Sequence, residues 1–169
     1  NRTTGKPFFA YAAYTAPHWP LHAPEADVAA QKGRYDAGYE AIRARRIERM
    51  KELRLVPAAM KPYPGVAGPA EGGNGPKRWS ELDPEERARE ARLMEIYAAM
   101  VTNLDGHIGR LIDHLRRVGE YENTLILFMS DNGAEGAEAF APPVPGTKVD
   151  NAFANLGRPG SVAAYGPRW

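Results

Sequence analysis

The sequence predicts an α/β domain in which parallel strands are joined by crossover helices, and three observations lead there. Leu125, Ile126, Leu127, Phe128 and Met129 form an unbroken apolar run. It lacks the alternation of a half-exposed strand and suits a central parallel strand covered on both faces. A second apolar and aromatic run occupies residues 7–14, from Pro7 through Phe8, Phe9 and Tyr11 to Tyr14. Between the two lies a long segment of helical periodicity. A strand, a helical connection and a second strand make a crossover that is expected to be right-handed, which would set both runs in one sheet.

The first run ends in Thr15-Ala16-Pro17-His18-Trp19-Pro20, and these prolines with Pro24 forbid continued strand or helix. An ordered loop carrying His18 is the expectation, with His22 four residues further on. Residues 25–56 are largely helical in composition, with Arg43, Arg45, Arg46, Arg49, Lys51 and Arg54 around Ile42, Ile47, Met50 and Leu53. The interleaved Glu40, Glu48 and Glu52 permit pairs three residues apart, such as Arg45 with Glu48, and no aromatic stacking platform accompanies the cations. A solvated amphipathic helix is therefore expected rather than a nucleic-acid surface. Residues 57–78 are too rich in proline and glycine for regular structure and read as a long loop.

Asp83-Pro84-Glu85-Glu86 is a helix start, with an N-cap acid, proline at the first helical position and carboxylates in the first turn. Leu93, Tyr97, Met100, Leu104, Ile108, Leu111, Leu115 and Val118 then recur at spacings of three and four, and Gly119 supplies the stop. At ~1.5 Å per residue this is roughly 50 Å of helix, unless Gly106 and Gly109 bend it. Residues 134–169 are turn-rich and form an irregular tail expected to wrap over the site, with Lys148, Arg158 and Arg168 as scattered cations.

With 169 residues, 43% of them hydrophobic, the chain is long enough for a domain with a core. Its opening Asn1 and its closing Tyr165-Gly166-Pro167-Arg168-Trp169 read as mid-protein sequence, so residues 1–169 are expected to be an internal fragment. Twenty-two basic and 21 acidic residues leave a net charge of +1. That balance gives no broad electrostatic basis for binding nucleic acid or an anionic membrane. The absence of cysteine rules out a disulfide framework, a zinc-thiolate site and a thiol nucleophile within these residues. No targeting or membrane-spanning segment is visible; the compartment, periplasm or cytoplasm, and the oligomeric state are left open.

The candidate site follows from position. Asp131 and Asn132 fall where the second strand would end, and in open α/β sheets ligands collect outside the carboxyl ends of the strands. Their hard oxygen atoms suit Ca²⁺ or Mg²⁺. A strand-closing turn is the plain alternative, since Asp, Asn and Gly are turn residues. His18 sits at the end of the first strand in the same way, and parallel neighbouring strands would make the two loops converge.

In order along the chain, Phe8-Phe9-Ala10-Tyr11, Ala16-Pro17-His18-Trp19-Pro20-Leu21, Tyr97-Ala98-Ala99-Met100-Val101, Asn123-Thr124-Leu125-Ile126 and Ser130-Asp131-Asn132-Gly133-Ala134-Glu135 resemble the middle of a bacterial arylsulfatase of the alkaline-phosphatase-like superfamily. The resemblance covers nearly the whole chain and implies a partial alkaline-phosphatase-like fold with parallel strands and crossover helices. It implies hydrolysis of small-molecule sulfate esters by a formylglycine nucleophile, hydrated to a diol whose alkoxide attacks sulfur beside a bound Ca²⁺. On the matching positions it makes Asp131 and Asn132 calcium ligands, with Asp131 also placed to act on the nucleophile's proton, and makes His18 the group that assists the leaving alcohol.

The chain also departs from the family pattern. A Cys or Ser followed by x-Pro-x-Arg, the source of the formylglycine, is absent, as are the paired aspartates of the first strand, the Lys and His that follow the nucleophile, and the later sulfate-binding Lys. The formylglycine is expected upstream of this chain. The chain would thus hold about half a site and, alone, would be inactive with weak calcium binding at most. Two other readings stand beside this one. One is a phosphatase, phosphodiesterase or phosphonate hydrolase of the same superfamily, which the Asn after Asp131 disfavours. The other is a non-catalytic binding module in which the long helix offers an interaction face.

Overall fold

A computed structural model describes residues 5–62, 77–134, 148–166 and 169. The Pro/Gly-rich segment falls mostly outside these residues, as do much of the tail and Arg168. Three helices carry the described structure: α1 (Glu25–Ala29), α2 (Tyr39–Glu52) and α3 (Pro84–Arg117). Single 3₁₀ turns at Trp79–Glu81, Tyr121–Asn123 and Phe153–Asn155 complete it.

Helix α3 is the backbone of the fold, and both of its ends are built by local chemistry. At its start, Asp83 Oδ1 accepts from the Glu86 backbone N–H at 2.8 Å while Glu86 Oε2 accepts from the Asp83 N–H at 3.0 Å. This reciprocal capping box satisfies two donors that the helix leaves over. At its end Gly119 takes a left-handed conformation (φ 76°). The N–H groups of Gly119 and Glu120 reach back to the carbonyls of Arg116 and Leu115 at 3.1 and 3.0 Å. That is a Schellman closure, and the residue it needs at the left-handed position is glycine. The 34 residues between run as one helix, so neither Gly106 nor Gly109 interrupts it.

The core gathers on the first half of α3. Leu93, Ile96, Ala99 and Met100 pack with Val28 of α1, Leu21 of the loop before it, and Leu156 and Ala163 of the tail. Leu21 and Ile96 are wholly buried, and fully burying such a side chain is worth about 1.5–3 kcal/mol. Polar staples follow the same seam: Asn103 Nδ2 donates to Asp27 at 2.8 Å and Gln31 Nε2 donates to Thr102 at 3.2 Å. Beyond Met100 the predicted stripe is less covered; Leu115 is buried but Leu111 is exposed.

The helical expectation for residues 25–56 needs correction, because α1 and α2 are separated by nine residues of turns and loop. Gly33 and Gly38 both have positive φ in this break. Gly38 lies under the Trp79 ring, where an added Cβ would come within 2.3 Å of Cγ. Tyr39, Trp79 and Trp169 form an edge-to-face cluster there, which Tyr35 joins through Trp169. Such pairs contribute about 0.5–1.5 kcal/mol beyond their buried area. Helix α2 pairs Arg49 with Glu52 and Lys51 with Glu48, three residues apart as its composition suggests, though the partners differ from the Arg45–Glu48 pair expected.

The two apolar runs also differ from expectation. Among the described residues there is no β-strand; residues 7–14 and 125–129 have no regular structure. Phe9 is 92% exposed, Leu125 84% and Phe128 78%. The physical reason is that a strand exists only by pairing: without a neighbouring ladder its N–H and C=O groups stay with solvent and its side chains have no opposite face to pack on.

Candidate functional site

The loop that carries His18 is rooted at both sides. Ala16, Leu21 and Ala23 lie in or against the core, so residues 17–20 arch out between anchored positions. The His18 N–H donates to the Thr15 carbonyl at 3.0 Å, closing the turn. The Ala16–Pro17 and Trp19–Pro20 peptide bonds on either side of the pair are cis. The His18 ring stacks on Trp19 with centroids 5.5 Å apart, and its Nδ1–H donates to the Trp19 carbonyl at 2.5 Å. Nδ1 is thereby engaged, which leaves Nε2 as the other ring nitrogen of an exposed side chain.

Asp131 and Asn132 follow the second apolar run and are exposed. Their own turn orders them: the Asn132 N–H donates to Asp131 Oδ1 at 3.1 Å and Asn132 Nδ2 donates to the Gly133 carbonyl at 2.7 Å. Ser130 Oγ closes onto the Asn132 carbonyl. With the Asn132 amide nitrogen turned to backbone, its Oδ1 and the Asp131 carboxylate are the groups left to meet a cation. This donor set fits Ca²⁺, which takes six to eight hard oxygen ligands, but supplies only part of its shell. Among the described residues no group of three or more His, Asp or Glu side chains gathers as a metal cage. The hydrogen bonds of His18 and of the Asp131–Asn132 pair are each made within their own turn, so among the described residues no direct hydrogen bond joins the two loops.

The tail supplies residues that no motif singled out. Asn151 Oδ1 accepts from the Val162 N–H at 2.9 Å and from Ser161 Oγ at 3.3 Å, and its carbonyl accepts from Arg89 of α3 at 3.0 Å. The segment so held meets the histidine loop: the Leu21 N–H donates to the Ala163 carbonyl at 3.0 Å, and His22 Nε2–H donates to the Ser161 carbonyl at 2.8 Å. Arg158 is no free cation facing an anion, because it pairs with Glu25 at 2.9 Å. Residues 139 positions apart leave no local signal of such a contact.

The sulfatase family profile matches residues 1–160. An uncharacterised sulfatase of Schizosaccharomyces pombe is 46% identical over all of this chain and 30% of its own length. An arylsulfatase of Klebsiella aerogenes is 38% identical over 97% of this chain and 34% of its own length. An N-acetylglucosamine-6-O-sulfatase of Bacteroides thetaiotaomicron is 45% identical over a shorter segment, 24% of this chain. The chain belongs to the sulfatase family, and with it to the alkaline-phosphatase-like α/β fold class. It spans about a third of the length of the two curated relatives that it matches throughout.

Proposed function

We propose that this chain forms the leaving-group and cation-facing part of an arylsulfatase-type active site, acting on small-molecule sulfate esters with a formylglycine nucleophile supplied outside residues 1–169. The observation that carries the reading is the family match over residues 1–160, a span that contains His18, Asp131 and Asn132. Asp131 and Asn132 would hold Ca²⁺ through the carboxylate and the amide oxygen. When bound, that ion would orient the sulfate oxygens and offset their charge. As the imidazolium, with Nδ1–H kept on the Trp19 carbonyl, His18 would donate its Nε2 proton to the bridging ester oxygen as the S–O bond breaks, so that the alcohol leaves neutral and the ring is left as the neutral Nδ1–H form. The Asp131 carboxylate is the base this chain offers for the proton of the attacking hydroxyl. The parallel arrangement of the two apolar runs in one sheet belongs to the same proposal, since it would bring both loops to one edge.

The test uses a complete sulfatase domain containing this chain. It should turn over 4-nitrophenyl sulfate far faster than 4-nitrophenyl phosphate, and Asp131→Ala should abolish turnover while lowering calcium affinity measured by calorimetry. A preference for the phosphate ester would move the assignment to the phosphatase branch. Unchanged turnover and calcium affinity in Asp131→Ala would leave only a turn residue at that position.

A further inference from the structure

We propose that His22 is the positioning residue for His18, fixing the histidine loop on the tail segment 161–163. The inference rests on the reading of His18 as leaving-group donor and adds to it a named device that holds the donor in place.

The geometry is specific. His18 is exposed, and among the described residues its ring is held by Trp19 alone, through the stack and the bond to the Trp19 carbonyl. A contact between neighbours cannot fix where the pair points in the molecule. That task falls to the residues that leave the loop, where two successive positions bond to the tail in the same direction. The Leu21 N–H reaches Ala163 and the His22 ring reaches Ser161. Leu21 is wholly buried beneath, packed in one cluster with Ile96, Leu156 and Ala163.

The tail side of the contact is itself fixed. Ser161 is buried, its N–H donates to the Arg158 carbonyl at 3.0 Å, and its hydroxyl bonds to Asn151. Asn151 is tied to α3 through Arg89. A continuous series of bonds therefore runs from the long helix through Arg89, Asn151 and Ser161 to His22, four residues from His18. Because the acceptor is a carbonyl, His22 must carry its proton on Nε2, and neutral and charged imidazole both satisfy it. A glutamine side chain also carries an N–H donor, so it can replace the histidine where an alanine cannot.

A donor displaced by about 1 Å loses up to about 100-fold in rate, and the loss is largest where proton donation matters most. In the complete domain, His22→Ala should lower kcat on the order of 10- to 100-fold for esters of basic alcohols and little for 4-nitrophenyl sulfate, with KM nearly unchanged. His22→Gln should recover most of that rate. A loss equal across leaving groups, or no recovery with glutamine, overturns the proposal. Histidine-selective ¹⁵N spectra test the contact without turnover. His22 should show the Nε2–H tautomer, and the His18 ring signals should move in His22→Ala and stay in place in His22→Gln. His18 signals unmoved by His22→Ala overturn the proposal as well. Intact spectra with no sulfate-ester turnover by the unsubstituted domain would count against the proposed function alone.

Discussion

The carboxylate of Glu95 accepts a 2.7 Å hydrogen bond from the backbone N–H of Gly33, 62 positions earlier in the chain. Its second oxygen pairs with Arg92 at 3.1 Å, and the side chain is buried. The contact closes the turn after α1 against the first half of α3, where the core gathers. Glu95→Ala removes the acceptor of the Gly33 N–H and leaves Arg92 without this partner. We expect a loss of about 1.5–3 kcal/mol, the range for hydrogen bonds to charged groups, read as a lower denaturant midpoint at unchanged slope. Glu95→Gln retains an acceptor oxygen for Gly33 and should cost about half as much. Equal losses in the two variants would assign the stabilisation to the Arg92 pair.

The break between α1 and α2 should be intolerant at a single atom. Gly38 combines φ 83° with the Trp79 ring against its Cα, and Trp79 is wedged against Tyr39 and Trp169. Gly38→Ala must displace an indole held by two aromatic neighbours while adopting φ 83° and ψ 169°, a region open essentially to glycine. That backbone conformation costs roughly 1–3 kcal/mol and overpacking about 1–3 kcal/mol more. Thermal unfolding together with tryptophan fluorescence would read both. A variant as stable as the parent, with its emission unmoved, would show that Trp79 yields freely.

The end of α2 offers the opposite sign. The N–H groups of Arg54 and Leu55 bond to the carbonyls of Lys51 and Met50 at 2.9 Å, the same closure that Gly119 makes for α3. Here the left-handed residue is arginine, at φ 57°. Arg54→Gly relieves the Cβ conflict and should stabilise the protein by about 1 kcal/mol, less the added entropy of the unfolded chain. The exposed side chain makes this a backbone experiment. A destabilised Arg54→Gly would mean that the guanidinium contributes more than the backbone conformation costs.

These helix ends also mark what the sequence can disclose. Asp83, Pro84 and Gly119 bound α3 correctly because capping is local chemistry, written within four residues of each terminus. The interruption near Gly33 and Gly38 was not legible in the same way. Residues 25–56 have helical composition, and what breaks them is Glu95 and Trp79, 62 and 41 positions away from the glycines they meet. Asp131 and Asn132 could be singled out because an apolar run ends in hard oxygen ligands, whereas His22 could not, since its partner Ser161 is distant and has no motif of its own. The apolar runs suit strands by composition, which reports that a segment fits a covered sheet and is silent on which strands would cover it.

Those uncovered runs carry the last prediction. Residues 125–129 present Leu125, Leu127, Phe128 and Met129 largely to solvent, and residues 8–14 do the same with Phe9 and Tyr11. Extended, apolar and unpaired segments with free backbone donors and acceptors are templates for intermolecular pairing. Residues 125–129 contain no charge, proline or glycine that would oppose it. The 169-residue chain alone should therefore self-associate at micromolar concentration and bind a hydrophobic dye. Leu127→Lys should reduce both. Because the parent side chain is already exposed, the substitution should leave the melting of the helical core within ~0.5 kcal/mol of the parent. In a complete sulfatase domain the outcome should reverse, because there the same lysine would replace a side chain covered by neighbouring strands and destabilise the domain. Light scattering and thermal unfolding on both proteins decide the matter. A lysine variant that destabilises the short chain, or leaves the complete domain untouched, would show that residues 125–129 are not a strand waiting for its sheet.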